Sequence, residues 1–194
     1  MKNAIYLVLD MENDLVHADG ISAKGPYGEQ VRDRGILVHT RRALDKARAA
    51  GLHIGFVRVG FSPDYRECPP DSPIFSGARK NGIFKLGEWG TQVHPDLGRQ
   101  PEDFDIVKHR VSPFYSTSLQ AILRANRIER IYCSGISTNA VVQAMVREGH
   151  DRDYTMVVLE DCCCALSAEE HDGAIKSLQR FCCRVTNSRD VVFE

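Results

Sequence analysis

Short apolar runs alternate with longer amphipathic stretches along this chain. The first run, Ile5 to Leu9, is apolar throughout and ends at Asp10. The other short runs cover 53–59, 105–108, 130–136, 155–160 and 182–186. Apolar residues recur at helical spacing over about 30–50, 116–126, 138–150 and 167–180. This alternation predicts strands separated by helices, and strands that are apolar throughout indicate a parallel sheet covered on both faces.

The predicted fold is therefore α/β, a three-layer, doubly wound and mostly parallel sheet of Rossmann-like architecture with helices on both faces. In such a sheet the ligand site lies beyond the carboxyl ends of the strands. Residues that carry chemistry are expected just after Leu9, Val107 and Ile136. The 194 residues contain no repeat and no linker, so a single domain is expected over 1–194.

Residues 60–103 interrupt this alternation. They contain six of the eight prolines, together with the aromatic residues Phe61, Tyr65, Phe75, Phe84 and Trp89. A loop of this length is uncommon unless it binds something or moves. Two interpretations are open: the segment covers a substrate, or it is a surface excursion that packs on its own aromatic side chains.

Bulk composition narrows the function classes. The formal net charge is −1, which gives no general attraction to nucleic acid or to an anionic membrane surface. No apolar run approaches the roughly 20 residues of a membrane helix, and the N-terminus enters an apolar strand without a signal-type cleavage site. We therefore expect a cytoplasmic protein that acts on a small molecule, with neither a nucleic acid nor a membrane as partner.

The seven cysteines indicate buried thiols in a reducing compartment. Three are consecutive at 162–164 and two are adjacent at 182–183, and such spacing makes a poor disulfide framework. The sequence has no Cys-x-x-Cys pair and no cysteine–histidine cluster of zinc-finger spacing. It therefore predicts no metal site and no cofactor.

Two charged residues stand where apolar strands end. Asp10 follows Leu9, and Lys108 follows Val107. A lysine is seldom placed where a parallel sheet is buried, and beside a carboxylate it holds that carboxylate ionised. We expect the two side chains to face each other across one pocket at the carboxyl edge of the sheet. Taken alone, Asp10 would equally suit an exposed strand end.

A third motif joins a strand to the helix that follows it. Gly135 is followed by Ser137, Thr138 and Asn139, and then by an apolar helix that contains Val141. Unpaired N–H groups at a helix N-terminus point at whatever binds there, and they can stabilise an oxyanion. Thr138 or Asn139 can also simply cap the helix, and the two roles are compatible.

Together these motifs resemble the isochorismatase-like hydrolase superfamily. The first motif is Leu-Val-Leu-Asp-Met-Glu-Asn-Asp at 7–14, in which Glu12 stands where glutamine is usual. The lysine motif covers 107–114, and the third motif covers 135–142. The likeness extends over nearly the whole chain. It is specific for the superfamily and not for a substrate.

The resemblance implies a mechanism from which one residue is missing. In members that hydrolyse amides, an aspartate acts as general base beside a lysine and a cysteine nucleophile, and the first two correspond to Asp10 and Lys108. The cysteine position is Val141, and a valine cannot form an acyl-enzyme. The family's cis peptide corresponds to the Ile136–Ser137 bond, and its oxyanion hole to the backbone amides at Ser137 and Val141. The same resemblance implies a homodimer or a higher homo-oligomer.

Three functions are open from the sequence. The first is a cysteine-independent hydrolase that uses Asp10 and Lys108 in acid–base catalysis on a small carbonyl, amide or enol-ether compound. The second, favoured by Val141, is a non-catalytic descendant that binds a metabolite or a partner. The third is a thiol amidase with a relocated cysteine. The candidate substrate contacts are Phe84, Trp89, Tyr115, Thr138 and Asn139.

Overall fold

The structure is a computed structural model that describes residues 2–194. Its centre is one sheet of six strands, which are β1 (Ala4–Leu9), β2 (His53–Val59), β3 (Phe104–Lys108), β4 (Arg130–Gly135), β5 (Thr155–Leu159) and β6 (Arg184–Thr186). The strand order is β3-β2-β1-β4-β5-β6, and neighbouring strands are parallel throughout. Because β1 lies in the middle and the chain winds outward on both sides of it, the predicted doubly wound fold is confirmed.

Helices connect and flank these strands. The α-helices are α1 (Asn13–Val16), α2 (Pro26–Asp33), α3 (Ile36–Ala49), α4 (Ser76–Asn81), α5 (Leu119–Ala125), α6 (Gln143–Asp151) and α7 (Ala168–Leu178). Turns of 3₁₀ helix cover Ser22–Lys24, Trp89–Thr91, Pro95–Leu97 and Glu160–Cys162, and Thr138–Val142 is a π-helical turn. Across residues 2–194, no helix is both long and apolar enough to cross a membrane.

The two faces of β1 explain the three layers. Side chains alternate between the faces of a strand, and all six residues of β1 are buried. Tyr6 and Val8 belong to a core cluster that includes the buried side of α3. Ile5, Leu7 and Leu9 belong to a second cluster with residues of α5, α6 and α7. The central strand is therefore covered by helices on both sides, as its apolar run predicts.

Two predicted elements differ from the structure. The single helix expected over about 30–50 is interrupted between α2 and α3, where Gly35 adopts a left-handed conformation with φ of +61°; glycine does so without steric cost. The last strand begins at Arg184 rather than at Cys182, because the Cys182 N–H donates to the Leu178 carbonyl and so belongs to the turn that follows α7.

The segment 60–103 forms a wall of its own. It contains α4 and most of a third apolar cluster, in which Phe61 packs edge-on against Phe75 at 5.6 Å between ring centroids. The Tyr65 hydroxyl donates to the Ile83 carbonyl at 2.7 Å. This wall is tied to the chain that follows β1, because the Asn13 N–H donates to the segment's backbone at 2.9 Å. The segment thus packs on its own aromatic side chains at the carboxyl edge of the sheet.

Candidate active site

The carboxyl ends of β1, β3 and β4 bring three predicted residues together. Asp10, Lys108 and Ser137 line one cavity at this edge of the sheet. Asp10 leaves β1 with φ of +53°, a conformation that aspartate adopts more readily than most residues. Its N–H donates to the Val57 carbonyl at 2.8 Å. The chain therefore turns at Asp10, and the carboxylate is presented at the strand end.

Asp10 and Lys108 form a buried ion pair. Lys108 Nζ lies 2.9 Å from Asp10 Oδ2, and the two side chains are 2% and 9% exposed, respectively. Lys108 Nζ also donates to the Arg110 carbonyl at 3.1 Å. Within residues 2–194, Asp10 Oδ1 has no hydrogen-bond partner, so this oxygen can still accept a hydrogen bond. The prediction that the two side chains face each other in one pocket is confirmed.

Burial and the charge of Lys108 shift the pKa of Asp10 in opposite directions. Burial raises the pKa of this carboxyl group, whereas the Lys108 ammonium lowers it through its charge and its hydrogen bond. The net direction of the pKa shift is upward. A carboxylate with a raised pKa is a stronger proton acceptor, which is what a general base requires.

A second buried carboxyl group accompanies this pair. Glu12 is fully buried, its Oε1 accepts the Val59 N–H at 3.2 Å, and its Oε2 has no partner in the described chain. Burial raises the pKa of Glu12 well above its ordinary value, and the negative charge of Asp10 raises it further. These effects favour a protonated, neutral Glu12 beside an ionised Asp10.

The turn after β4 brings Ser137 to the cavity. A Cβ atom at Gly135 would lie 2.1 Å from the Leu9 carbonyl oxygen, so this close approach to the end of β1 requires glycine. The Ile136–Ser137 peptide bond is cis, as the resemblance implies. The Ser137 carbonyl then accepts the Ala140 N–H at 3.2 Å at the start of the π-helical turn. Such turns are frequent at functional sites.

Val141 lies in this π-helical turn. Its side chain is buried, and it lines the same cavity as Asp10 and Lys108. It also belongs to the apolar cluster beside β1 that contains Leu9. The position that the resemblance assigns to a nucleophile therefore does face the ion pair, but with an isopropyl group that has no nucleophilic atom.

Geometry disfavours a relocated thiol. Among the described residues that line the cavity there is no cysteine. Burial raises the pKa of Cys162 and Cys163 well above the ordinary value, and it raises the pKa of Cys164 to about 12. Thiols that hold their protons are poor nucleophiles. The third function that the sequence left open is therefore the weakest.

The cavity has the size and the lining of a small-molecule site. Its volume is about 450 Å³. Ten of its sixteen lining residues are apolar, and the polar ones are Asp10, Ser22, Tyr27, Lys108, Ser137 and Asn139. A wider cleft of about 580 Å³ lies elsewhere, beside Arg58 and Arg99. Both of those guanidinium groups already pair with Asp105, and neither Asp10 nor Lys108 lines that cleft.

Two of the five candidate substrate contacts line the cavity. Phe84 is one of them, and its N–H donates to Asp14 Oδ2 at 2.7 Å. Asp14 follows β1, so the motif that ends the strand also holds the aromatic wall in place. Asn139 is the other, and its Nδ2 donates to Glu170 Oε2 at 3.0 Å.

The other three candidate contacts lie outside the cavity, which corrects the prediction for them. The Trp89 ring packs edge-on against His17 at 4.9 Å between centroids. Thr138 is fully buried, and its hydroxyl is hydrogen-bonded to His171 Nδ1 at 2.8 Å. Tyr115 is exposed and lines a separate surface depression. Trp89 and Thr138 are held by neighbours within the protein, and Tyr115 lies at the surface in the separate depression.

Tyr27 is a cavity residue that the sequence reasoning missed. It lies on α2 and lines the cavity together with Ser137. Burial raises the pKa of Tyr27, so the phenol keeps its proton and remains a hydrogen-bond donor. A tyrosine in an amphipathic helix gives no signal of this role, because the tertiary packing of α2 places it.

No group of three or more His, Cys, Asp or Glu side chains is placed to hold a metal ion in the part of the chain that the structure describes. The absence of a metal requirement stays a prediction.

The match to known proteins covers almost the whole chain. An isochorismatase domain model matches residues 4–190. The chain belongs to the isochorismatase family. An isochorismatase family protein of Escherichia coli O157:H7 is 31% identical over 196 residues, which cover 98% of this chain and 95% of that protein. A ureidoacrylate amidohydrolase of Yersinia enterocolitica is 32% identical over 175 residues, which cover 80% of this chain and 72% of that protein.

Solved structures of other proteins have the same fold as this chain. A cysteine hydrolase from Pseudomonas syringae pv. phaseolicola superposes with a TM-score of 0.86 at 21% identity, covering 98% of this chain and 92% of that one. N-carbamoylsarcosine amidase from Thermoplasma acidophilum superposes with a TM-score of 0.76 at 24% identity over the full length of both chains. At these identities the likeness shows the shared fold. Family membership and the sequence relatives make this chain an isochorismatase-family hydrolase.

Proposed function

We propose that this hydrolase cleaves an amide or a related carbonyl bond of a small molecule without a cysteine nucleophile. The observation that carries the proposal is the buried Asp10–Lys108 pair, 2.9 Å apart, in a cavity where residue 141 is valine. The similarity to a ureidoacrylate amidohydrolase supports an amide as the bond that is cleaved.

In the proposed reaction, water is the nucleophile and Asp10 is the general base. A proton of the water moves to the Asp10 carboxylate while the water oxygen attacks the carbonyl carbon. Lys108 and the backbone N–H groups at Ser137 and Val141 stabilise the negative charge that develops on the carbonyl oxygen. Collapse of the tetrahedral intermediate breaks the C–N bond, and the proton on Asp10 passes to the leaving amine. One water is consumed, and an acid and an amine are released.

The surroundings of Asp10 support this role. Burial raises its pKa and makes it a better proton acceptor, while the Lys108 ammonium at 2.9 Å favours the ionised form from which it must start. The Tyr27 phenol, which lines the cavity together with Ser137, supplies a further donor at the cavity wall.

The test is a panel of small amides and esters assayed with the wild-type protein, with Asp10→Asn and with protein treated with iodoacetamide. We expect turnover that survives alkylation and falls at least about 100-fold in Asp10→Asn, because the general base is lost. Asp45→Asn is the matched control, since it makes the same change at an exposed aspartate on α3. This control should keep full activity.

Two other outcomes would support a different function or mechanism. Loss of turnover on alkylation would favour a thiol mechanism. Saturable binding of an amide without any turnover would favour the non-catalytic descendant, for which Val141 is the supporting observation.

A further inference from the structure

We propose that the substrate of this site is uncharged: a small amide whose opposite end is apolar rather than carboxylated. This inference rests on the proposed function, because it takes the cavity of Asp10 and Lys108 as the substrate site.

The charges in the cavity are already paired. Among the described residues that line it, Lys108 is the one with a permanent positive charge, and its Nζ contacts Asp10 Oδ2 at 2.9 Å and the Arg110 carbonyl at 3.1 Å. A substrate carboxylate that took Lys108 as its partner would compete with Asp10. Two carboxylates would then share one ammonium in a buried site, which disfavours the ionised form of both.

The cavity is more polar on one side than on the other. In the sheet, β2 and β4 lie on opposite sides of β1, which ends at Asp10. The lining residues that follow β4 include the polar Ser137 and Asn139 among apolar side chains. On the other side lie Val59, at the end of β2, and the aromatic wall, including Phe84. A substrate with its amide at Asp10 and Ser137 would therefore extend its other end along apolar side chains.

An apolar wall selects against a carboxylate. Burying alkyl groups there favours binding in proportion to the apolar area removed from water. Burying an ionised carboxylate without a partner is strongly unfavourable. This wall offers apolar contact to the first group. The one cation on this side of the described cavity, Lys108 at the end of β3, is already paired with Asp10, so the cavity favours the uncharged compound.

Ile74 marks the mouth of this apolar wall. It lines the cavity and is nevertheless 62% exposed. A residue in this position contacts both the cavity and the solvent, so a substitution there can change the charge of the mouth without disturbing the core. It therefore offers a direct test of the substrate class.

The test compares pentanamide with glutaramate, which differ in having a methyl group or a carboxylate at the end opposite the amide. Binding to the wild-type protein is measured by saturation-transfer NMR titration. We expect pentanamide to bind at least about tenfold more tightly than glutaramate, a difference of about 1.4 kcal/mol or more. Equal binding, tighter binding of glutaramate, or no binding of pentanamide would overturn the proposal.

A charge variant then tests whether the preference for pentanamide over glutaramate arises in this cavity. Ile74→Arg places a guanidinium at the mouth and should bring glutaramate binding to within a few-fold of pentanamide binding. Val192→Arg is the matched control, because Val192 is also 62% exposed and does not line the cavity. We expect this control to keep the wild-type preference. An equal gain of glutaramate binding in both variants would show that the preference arises outside this cavity and would overturn the proposal.

The same probes separate this inference from the proposed function. If pentanamide binds preferentially and is not hydrolysed by the wild-type protein, the proposed hydrolysis fails while the preference for an uncharged ligand stands. If glutaramate is preferred and hydrolysed, the hydrolase stands and the inference fails.

Discussion

Replacing Lys108 with methionine should expose the energetic role of the buried ion pair. Methionine keeps the length of the aliphatic stem and removes the ammonium, so the variant leaves Asp10 buried without its partner. Lys108 Nζ and Asp10 Oδ2 are 2.9 Å apart, and the side chains are 2% and 9% exposed, respectively. At an effective dielectric constant of about 20, the gross attraction at this distance is about 6 kcal/mol.

Protonation of Asp10 limits the net cost of the variant. Taking up a proton at neutral pH costs a carboxyl group of ordinary pKa about 4 kcal/mol. Breaking one side of a buried pair typically costs about 3–5 kcal/mol. We therefore expect Lys108→Met to lower the free energy of unfolding by about 3–4 kcal/mol at neutral pH.

The pH dependence of this loss has a defined sign. In Lys108→Met the pKa of Asp10 in the folded state rises further above its value in the unfolded chain, because the ammonium no longer opposes burial. The folded variant therefore takes up a proton as the pH falls. Part of the stability lost at neutral pH should return toward about pH 5.

The assay is urea denaturation at fixed protein concentration, for Lys108→Met, Asp10→Asn and the double variant. The double variant should lose at least about 2 kcal/mol less than the sum of the single losses, because the charges are removed together. Arg41→Met is the matched control. The Arg41–Asp45 pair has the same 2.9 Å separation but is 48% and 56% exposed, so its loss should cost no more than about 0.5 kcal/mol.

The ion-pair reasoning would be refuted by a loss below about 1 kcal/mol in Lys108→Met that is independent of pH and additive with Asp10→Asn. Such a result would mean that solvent, rather than the partner side chain, stabilises the Asp10 carboxylate.

Four further outcomes are expected. Val141→Cys should be alkylated by iodoacetamide at neutral pH faster than the native cysteines, because Lys108 and the start of the helical turn lower the pKa of a thiol there; an unmodified residue 141 in the mass spectrum of the labelled protein would show that the position is inaccessible core. Burial raises the pKa of Glu12 above its ordinary value of 4.5, so the stability that the proton-bound form provides is present below that value and is lost as the pH rises through the folded-state pKa. Glu12→Gln should therefore gain stability relative to the wild type in urea denaturation as the pH rises above 4.5, and parallel pH profiles would contradict this. Activity should survive exhaustive chelation, and a loss that zinc or manganese restores would reveal a metal requirement. Sedimentation at micromolar concentration should give at least the mass of a dimer, and a mass near one 21.7 kDa chain would reject self-association.

The local apolar pattern predicts the sheet and the two charged residues at its edge. The run from Ile5 to Leu9 is apolar throughout because β1 is covered on both faces, and that local pattern is readable without any knowledge of the partners of the strand. In a doubly wound sheet the carboxyl ends of the strands converge on one edge. Asp10 and Lys108 each stand directly at such an end, so the pattern predicts that their side chains lie close together. Lys108 Nζ and Asp10 Oδ2 are 2.9 Å apart.

The interruption of the helix at Gly35 is not predicted by the local apolar pattern. The apolar periodicity continues across α2 and α3, so it predicts one helix over about 30–50. The left-handed backbone at Gly35 breaks that helix and changes the direction of the chain. A periodic pattern records which residues are buried, and it does not record where the helix axis bends.

The side chains that surround the ion pair depend on contacts that the local pattern does not predict. Phe84 and Trp89 both lie in the segment 60–103, and both are aromatic candidates by sequence. Yet Phe84 faces the cavity because Asp14 holds its backbone, whereas Trp89 packs against His17. The difference comes from hydrogen bonds and contacts between residues far apart in the chain, which leave no periodic trace in the sequence.

Tyr27 lines the cavity although its sequence context gives no signal of this position. Nothing in the spacing of α2 distinguishes it from an ordinary surface tyrosine, and its place in the cavity with Ser137 depends on the tertiary packing of α2. Strand ends converge because of the topology of the sheet, so their residues can be paired from sequence. The walls of the cavity come from the connecting segments, whose positions depend on the packing of the whole domain.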